Sequence, residues 1–140
     1  MDLGISALNY VTSIKNGDFT VEEFIEKTLE RIKDVDEKVH AFLQVSDTAL
    51  EKANKIDRRI KSNDEIGKFY GMPISVKDNM CVEGTITTCA SKVLENFIAP
   101  YTGTAVSRLE SDDAIIIGKT NLDEFAMGLS TEFSAYGPSR

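Results

Sequence analysis

The sequence predicts an α/β fold. Three observations carry this. Apolar residues recur at helical spacing through residues 1–65. Ala114-Ile115-Ile116-Ile117-Gly118 is a continuous apolar run, as in a strand buried on both faces. Helical patterns stand on either side of that run, an order that builds an α/β sheet. Residues 1–65 are therefore expected to be mainly helical and residues 66–140 to form an α/β core.

The elements follow in order. Ile5, Leu8, Val11 and Ile14 mark a first helix that ends at Asn16-Gly17, a C-cap pair. Thr20 with Glu23 has the spacing of a capping box, and Phe19 with Phe24 that of a hydrophobic staple. Phe24, Ile25, Thr28, Leu29, Ile32 and Val35 then share one helical face. A third helix is expected after Ser46 or Asp47, with Leu50, Ala53, Ile56 and Ile60 on one side and Glu51–Lys55 as an i,i+4 pair. Residues 102–109 read as helix. Asn121 and Glu124 resemble a capping box opening a short helix through Met127, stopped at Gly128. If Asp113, just before the apolar strand, takes a left-handed conformation, it does so at some cost, though Asp tolerates it better than most residues.

Residues 69–76 are apolar and β-prone, with Pro73 marking an edge, a bulge or a strand start. Asp78-Asn79 supplies turn chemistry. Alternation puts Ser75 and Lys77 on one face. A lysine at the end of an apolar strand is expected to be partly desolvated, which favours its neutral, basic form. The alternative is a surface lysine whose stem lies over the strand. Ser75–Lys77 is the one same-face Ser/Lys pair, but no oxyanion donors or third orienting group accompany it.

Composition narrows the class. The chain has 140 residues, 41% of them hydrophobic, and a formal net charge of −7, which argues against a dominant nucleic-acid surface. No apolar run approaches 18 residues, and Met1-Asp2-Leu3 lacks the basic and apolar regions of a leader, so a cytoplasmic location is the expectation. Cys81 and Cys89 fit no zinc spacing and read as buried free thiols. His40 is the single histidine, which favours packing or surface over a metal or triad. Lys52, Lys55, Arg58, Arg59 and Lys61 form a basic face, either solvated or open to a partner. Gly118-Lys119-Thr120 mimics the end of a phosphate loop, but Asp113 occupies the position where the pattern needs glycine. Glu110, Asp112 and Asp113 read as an acidic turn.

Several linked motifs, in order, carry a more specific signal. They are GMPISVKDNMCVEGTITTCAS from Gly71, NFIAPYTGTAVSRL from Asn96, AIIIGKTNLDEFAMG from Ala114 and STEFSAYGPSR from Ser130. Together they resemble the amidase signature family. The resemblance implies an amidase-signature fold, a mixed β-sheet flanked by helices, of which this chain is the N-terminal portion of a single amidase domain. It implies a Ser–cis-Ser–Lys triad in which Lys77 is the base. The two serines lie in a Gly/Ser-rich run that residues 1–140 do not contain, so the chain alone is expected to be inactive.

Within the family, the motif order is most similar to a glutamine-dependent amidotransferase. That implies glutamine as the amide donor, ammonia passed to Glu-tRNA(Gln), and partner subunits B and C. The tRNA is bound mainly by the partner, and ATP and magnesium belong there, with no cofactor in this chain. Met127, Gly128, Leu129 and Ser130 are implied beside the glutamine pocket, with Ser75, Asp78 and Glu124 as supporting residues. Glu124 has two readings, ammonia passage and helix capping. Leu129 and Phe133 stand where the amidotransferase has serine and asparagine, which is either altered pocket polarity or tolerated variation. A stand-alone amidase and a non-catalytic interaction module are the alternatives.

Overall fold

Ser6 accepts the Asn9 N–H at 3.2 Å and opens helix α1, Ala7–Asn16. Gly17, at φ 75°, closes it in the left-handed conformation that glycine adopts without a Cβ penalty. The computed structural model describes residues 2–140, so Met1, part of the stretch read for a leader, lies outside them. The remaining elements are α2 (Val21–Val39), β1 (Phe42–Val45), α3 (Ala49–Lys61), β2 (Pro73–Lys77), α4 (Thr104–Ser111) and β3 (Ile115–Thr120). Two 3-10 turns, Lys92–Leu94 and Glu124–Ala126, accompany them. Among the described residues, no helix is long and apolar enough to cross a membrane.

The three strands form one sheet in the order β1-β3-β2. β1 runs antiparallel to β3, with Gln44 opposite Lys119, Val45 opposite Gly118, and an irregularity between Phe42 and Gln44. The Ile115 N–H donates to Met72 O at 3.0 Å, and the Asp78 N–H to Thr120 O at 3.0 Å. Both strands advance together between these bonds, so β2 and β3 are parallel and the sheet is mixed. The local pattern does not foretell β1, because Phe42-Leu43-Gln44-Val45 is too short to show its period within a helical context.

The chain divides into two units, residues 1–34, 46–74 and 109–117 in one, and residues 35–45, 75–108 and 118–140 in the other. The first has an apolar interior: Tyr10, Val21, Phe24, Ile25, Ala53 and Ile115 are all buried. The capping box forms as expected, with Thr20 N–H on Glu23 Oε2 at 2.8 Å and Glu23 N–H on Thr20 Oγ1 at 3.1 Å. The Phe19 and Phe24 rings stack 5.4 Å apart. The first-helix stripe needs correction: Leu8 is 77% exposed, and Tyr10 and Ile14 are the buried pair. α3 likewise buries Ala49, Ala53, Ile56 and Asp57, while Leu50 faces out. The Asp57 carboxylate accepts the Val21 and Glu22 N–H groups at 2.9 Å each, capping α2 from a distance in sequence. Burial, and then the Asp57 charge, push the Tyr10 phenol up.

The basic face of α3 is largely paired inside this unit: Lys52–Glu110 at 3.0 Å, Lys55–Glu51 at 2.6 Å and Arg59–Asp113 at 2.6 Å. The acidic turn is the other half of the same arrangement, with Asp112 on Lys68 at 3.2 Å. Asp113 takes the left-handed conformation at φ 61°, and its carboxylate accepts the Gly67 N–H at 2.7 Å.

Gly71 combines a φ of 76° with a close approach: a Cβ there would lie 2.3 Å from Val21 Cγ1, and Val21 is fully buried. Gly71→Ala is expected to destabilise by about 2–5 kcal/mol, from left-handed strain plus overpacking, read as a lowered calorimetric Tm.

Candidate active site

The second unit buries an unusual set: Asp78, Thr87, Thr88, Ser91, Lys119 and Asp123 lie inside beside Val76, Val82, Ala99, Val106 and Leu122. Buried polar groups need partners, and these find them largely in one another and in nearby backbone.

β2 ends at Lys77. Its burial pattern alternates, with Ser75 and Lys77 exposed and Val76 buried, so the two side chains share the outer face as expected. The exposure of Lys77 corrects the expectation of desolvation by its own strand. Pro73 is the strand start, where its missing N–H is not needed in the ladder. A turn follows, closed by Met80 N–H on Lys77 O at 2.9 Å.

Asp78 points inward and is fully buried. Its Oδ1 meets Lys119 Nζ at 2.8 Å, and its Oδ2 accepts the Thr88 N–H at 2.9 Å and the Thr88 hydroxyl. Lys119, 2% exposed, also donates to Thr87 Oγ1 at 3.0 Å. This explains why Gly118-Lys119-Thr120 is no phosphate loop. The lysine is consumed by Asp78, and Gly118 is small because a Cβ would lie 2.5 Å from Gln44 O across the sheet.

Residues 87–91 link this pair to the chain after β3. Cys89 and Ala90 are both left-handed, at φ 51° and 55°. The Cys89 N–H donates to Asp78 O at 3.1 Å, Cys89 O accepts the Phe125 N–H at 2.9 Å, and Ala90 O accepts the Ala135 N–H at 3.0 Å. The Ser91 hydroxyl donates to Glu124 Oε1 at 2.5 Å. Cys81 and Cys89 are free and half-buried rather than buried. Burial, followed by the Asp78 charge, pushes the Cys89 thiol up, which makes it a poor nucleophile.

The segment after β3 wraps around Asp123. Its carboxylate accepts the N–H groups of Ser130 (3.1 Å), Thr131 (2.9 Å) and Phe133 (3.0 Å). Gly128 is required because a Cβ would lie 2.4 Å from Asp123 Cγ. The expected Asn121/Glu124 capping box does not form. Asn121 Oδ1 accepts the Leu122 N–H and the Ser134 hydroxyl instead, and only a 3-10 turn results, with Phe125 at φ 52° inside it. The Glu124 N–H that the box would use goes to Phe133 O at 3.2 Å, in a loop whose amides Asp123 holds. That leaves Glu124 to Ser91 rather than to helix capping.

Met127 and Leu129 are 80% and 105% exposed, Phe133 is also exposed, and the Ser130 hydroxyl donates to Glu132 Oε2 at 2.9 Å. Lys77 adds a weak favourable charge at Asp123, after the loop amides that hold the carboxylate directly. Elsewhere in this unit, His40 lines a cavity of about 350 Å³ with Glu37, Lys38, Gly137, Pro138 and Arg140. Among the described residues, no group of three or more His, Cys, Asp or Glu gathers to hold a metal.

The backbone N–H groups of Phe133, Thr131 and Ser130, with the Lys77 ammonium, hold the Asp123 carboxyl below the usual aspartate range. A depressed folded-state value means that the ionised form supports the loop above the ordinary aspartate pKa of about 3.9. That support is lost as pH falls through the folded-state value. The amide resonances of Ser130, Thr131 and Phe133 are expected to shift together below about pH 4, and Asp123→Asn is expected to remove this common transition.

A family model described as Amidase matches residues 23–140, and the chain belongs to this family. It is 52% identical over 135 residues to the A subunit of the glutamyl-tRNA(Gln) amidotransferase of Cenarchaeum symbiosum (strain A), covering 96% of this chain and 28% of that relative. The corresponding protein of Prochlorococcus marinus (strain NATL2A) is 46% identical over 127 residues, 90% of this chain and 26% of the relative. The chain thus spans about a quarter of the length of the curated relatives it matches. Among solved structures, the glutamyl-tRNA(Gln) amidotransferase A subunit from Thermotoga maritima is similar at TM-score 0.67 and 36% identity, covering 87% of this chain and 27% of that one. A structure described as a vestigial protein complex revealing the evolutionary origins of an s-triazine catabolic enzyme is similar at TM-score 0.92 and 29% identity, covering 97% and 30%. The α/β amidase fold expected from the motifs is the fold observed.

Proposed function

We propose that this chain supplies the base-bearing part of a glutamine-hydrolysing amidotransferase subunit, with Lys77 as the general base. One observation carries the reading: a chain 52% identical over 135 residues to a glutamyl-tRNA(Gln) amidotransferase A subunit presents an exposed lysine at the end of β2.

In this reading the neutral Lys77 amine takes a proton relayed from a serine hydroxyl, and that oxygen attacks the glutamine carboxamide carbon. The carbon–nitrogen bond breaks, the proton goes to the leaving nitrogen as ammonia, and water hydrolyses the acyl-enzyme to glutamate. The serines come from polypeptide outside residues 1–140. Loop residues 127–130 line the amide pocket. Ammonia passes to Glu-tRNA(Gln) held by partner subunits B and C, which also bind ATP and magnesium.

A second reading, a stand-alone amide hydrolase, draws on the higher backbone similarity to a structure described as an amidase, at TM-score 0.88 and 26% identity, than to the Thermotoga subunit. One experiment separates them. This chain is joined to the remaining length of the Cenarchaeum relative, and ammonia release is measured from glutamine and from simple amides, with and without subunits B and C. Glutamine hydrolysis stimulated by the partners supports the transferase reading. Partner-independent hydrolysis of simple amides supports the second. A well-folded fusion silent toward both overturns the assignment of Lys77.

A further inference from the structure

We propose that the buried Asp78–Lys119 ion pair is a positioning device for amide hydrolysis. It fixes the turn that presents Lys77 and, through residues 87–91, holds that turn to the loop beginning at Asp123. The proposal rests on the reading of Lys77 as the base.

Asp78 immediately follows Lys77, so whatever immobilises Asp78 sets where Lys77 starts. Asp78 is held on every side: its N–H on Thr120 O at 3.0 Å, its carbonyl under the Cys89 N–H at 3.1 Å, and its carboxylate on Lys119 and Thr88. The grip is then passed on. Thr88 Oγ1 accepts the Ala90 N–H at 2.9 Å, Ala90 O accepts the Ala135 N–H, and Cys89 O accepts the Phe125 N–H. Residues 87–91 thus bond the base-bearing turn on one side and the loop of residues 123–135 on the other. Thr88 and the Cys89 N–H hold Asp78, while the Cys89 and Ala90 carbonyls reach Phe125 and Ala135, because the left-handed Cys89 and Ala90 redirect successive peptides. A buried ion pair is a weak source of net stability compared with apolar packing. One that joins two parts of a site has a positional use.

The test compares the chain with its neutral-pair variant, Asp78→Asn with Lys119→Met, which leaves no unpaired buried charge. Native-state hydrogen exchange of the 140-residue chain is read at the Thr88, Phe125 and Ala135 amides, with Ile115 and Phe24 as controls. Exchange at the three is expected to accelerate by about tenfold or more while the controls hold within about twofold, as for local rather than global opening. In the fusion described above, the same variant is expected to lower kcat by about tenfold at nearly constant KM, the pattern of a mispositioned group rather than lost binding.

Uniform acceleration at all five amides, or none at the three, overturns the proposal. So does unchanged kcat in an active fusion. If the unaltered fusion hydrolyses neither glutamine nor simple amides, the base assignment fails, and selective exchange then supports only the mechanical linkage of the turn to the loop.

Discussion

Lys77→Ala in the fusion is expected to reduce glutamine hydrolysis by about 10²–10⁴-fold, the contribution of a positioned general base. Stability should barely change, because Lys77 is exposed, and surface substitutions of this kind stay within about 0.5 kcal/mol. Lys77→Arg is the sharper variant. It keeps the positive charge beside Asp123 but cannot yield a neutral base at accessible pH. If Lys77 merely balances Asp123, arginine should restore activity; if it moves a proton, arginine should be as inactive as alanine. Steady-state ammonia release and a parallel thermal melt separate these. Activity in the arginine variant within about threefold of the unaltered fusion would remove Lys77 from the chemistry.

The motifs around Lys77 are legible because local rules write them: alternation sets its face, Pro73 the strand start and Asp78-Asn79 the turn. The Thr20/Glu23 box and the Gly17 cap are legible for the same reason, since partners within a few residues decide them. Two elements are not. β1 owes its existence to antiparallel pairing with residues 118–120, far along the chain. No local signal in Phe42-Leu43-Gln44-Val45 announces that. The Asn121/Glu124 box has the right spacing and still does not form, because the Glu124 N–H goes to Phe133 O, in a loop whose amides Asp123 holds.

Lys119 is the buried, paired residue that sequence reasoning misses most completely. In the linear sequence, Gly118-Lys119-Thr120 looks like the tail of a nucleotide loop, and the missing upstream glycine leaves the lysine without a task. One signal is available. A lysine continuing an otherwise wholly apolar strand needs a buried counter-charge. An aspartate directly after the parallel strand β2 is the nearest candidate.

That pairing makes a large stability effect. Lys119→Met alone is expected to destabilise the chain by about 3–5 kcal/mol, because it strands the fully buried Asp78 carboxylate. Asp78→Asn alone should cost a comparable amount by stranding the ammonium. The double variant should be less destabilised than either single one, since the buried charge is then gone and the remaining side chains are close in volume. Urea unfolding of all four proteins closes the cycle, and a coupling of about 0.5–3 kcal/mol is expected for directly contacting groups. Additive losses would mean that solvent reaches the pair and screens it, contrary to its burial. A double variant more stable than the unaltered chain would be the most telling result. Residues 78 and 119 would then sit below the stability optimum, and what retains a buried lysine and aspartate there would be the placement of their neighbour, Lys77.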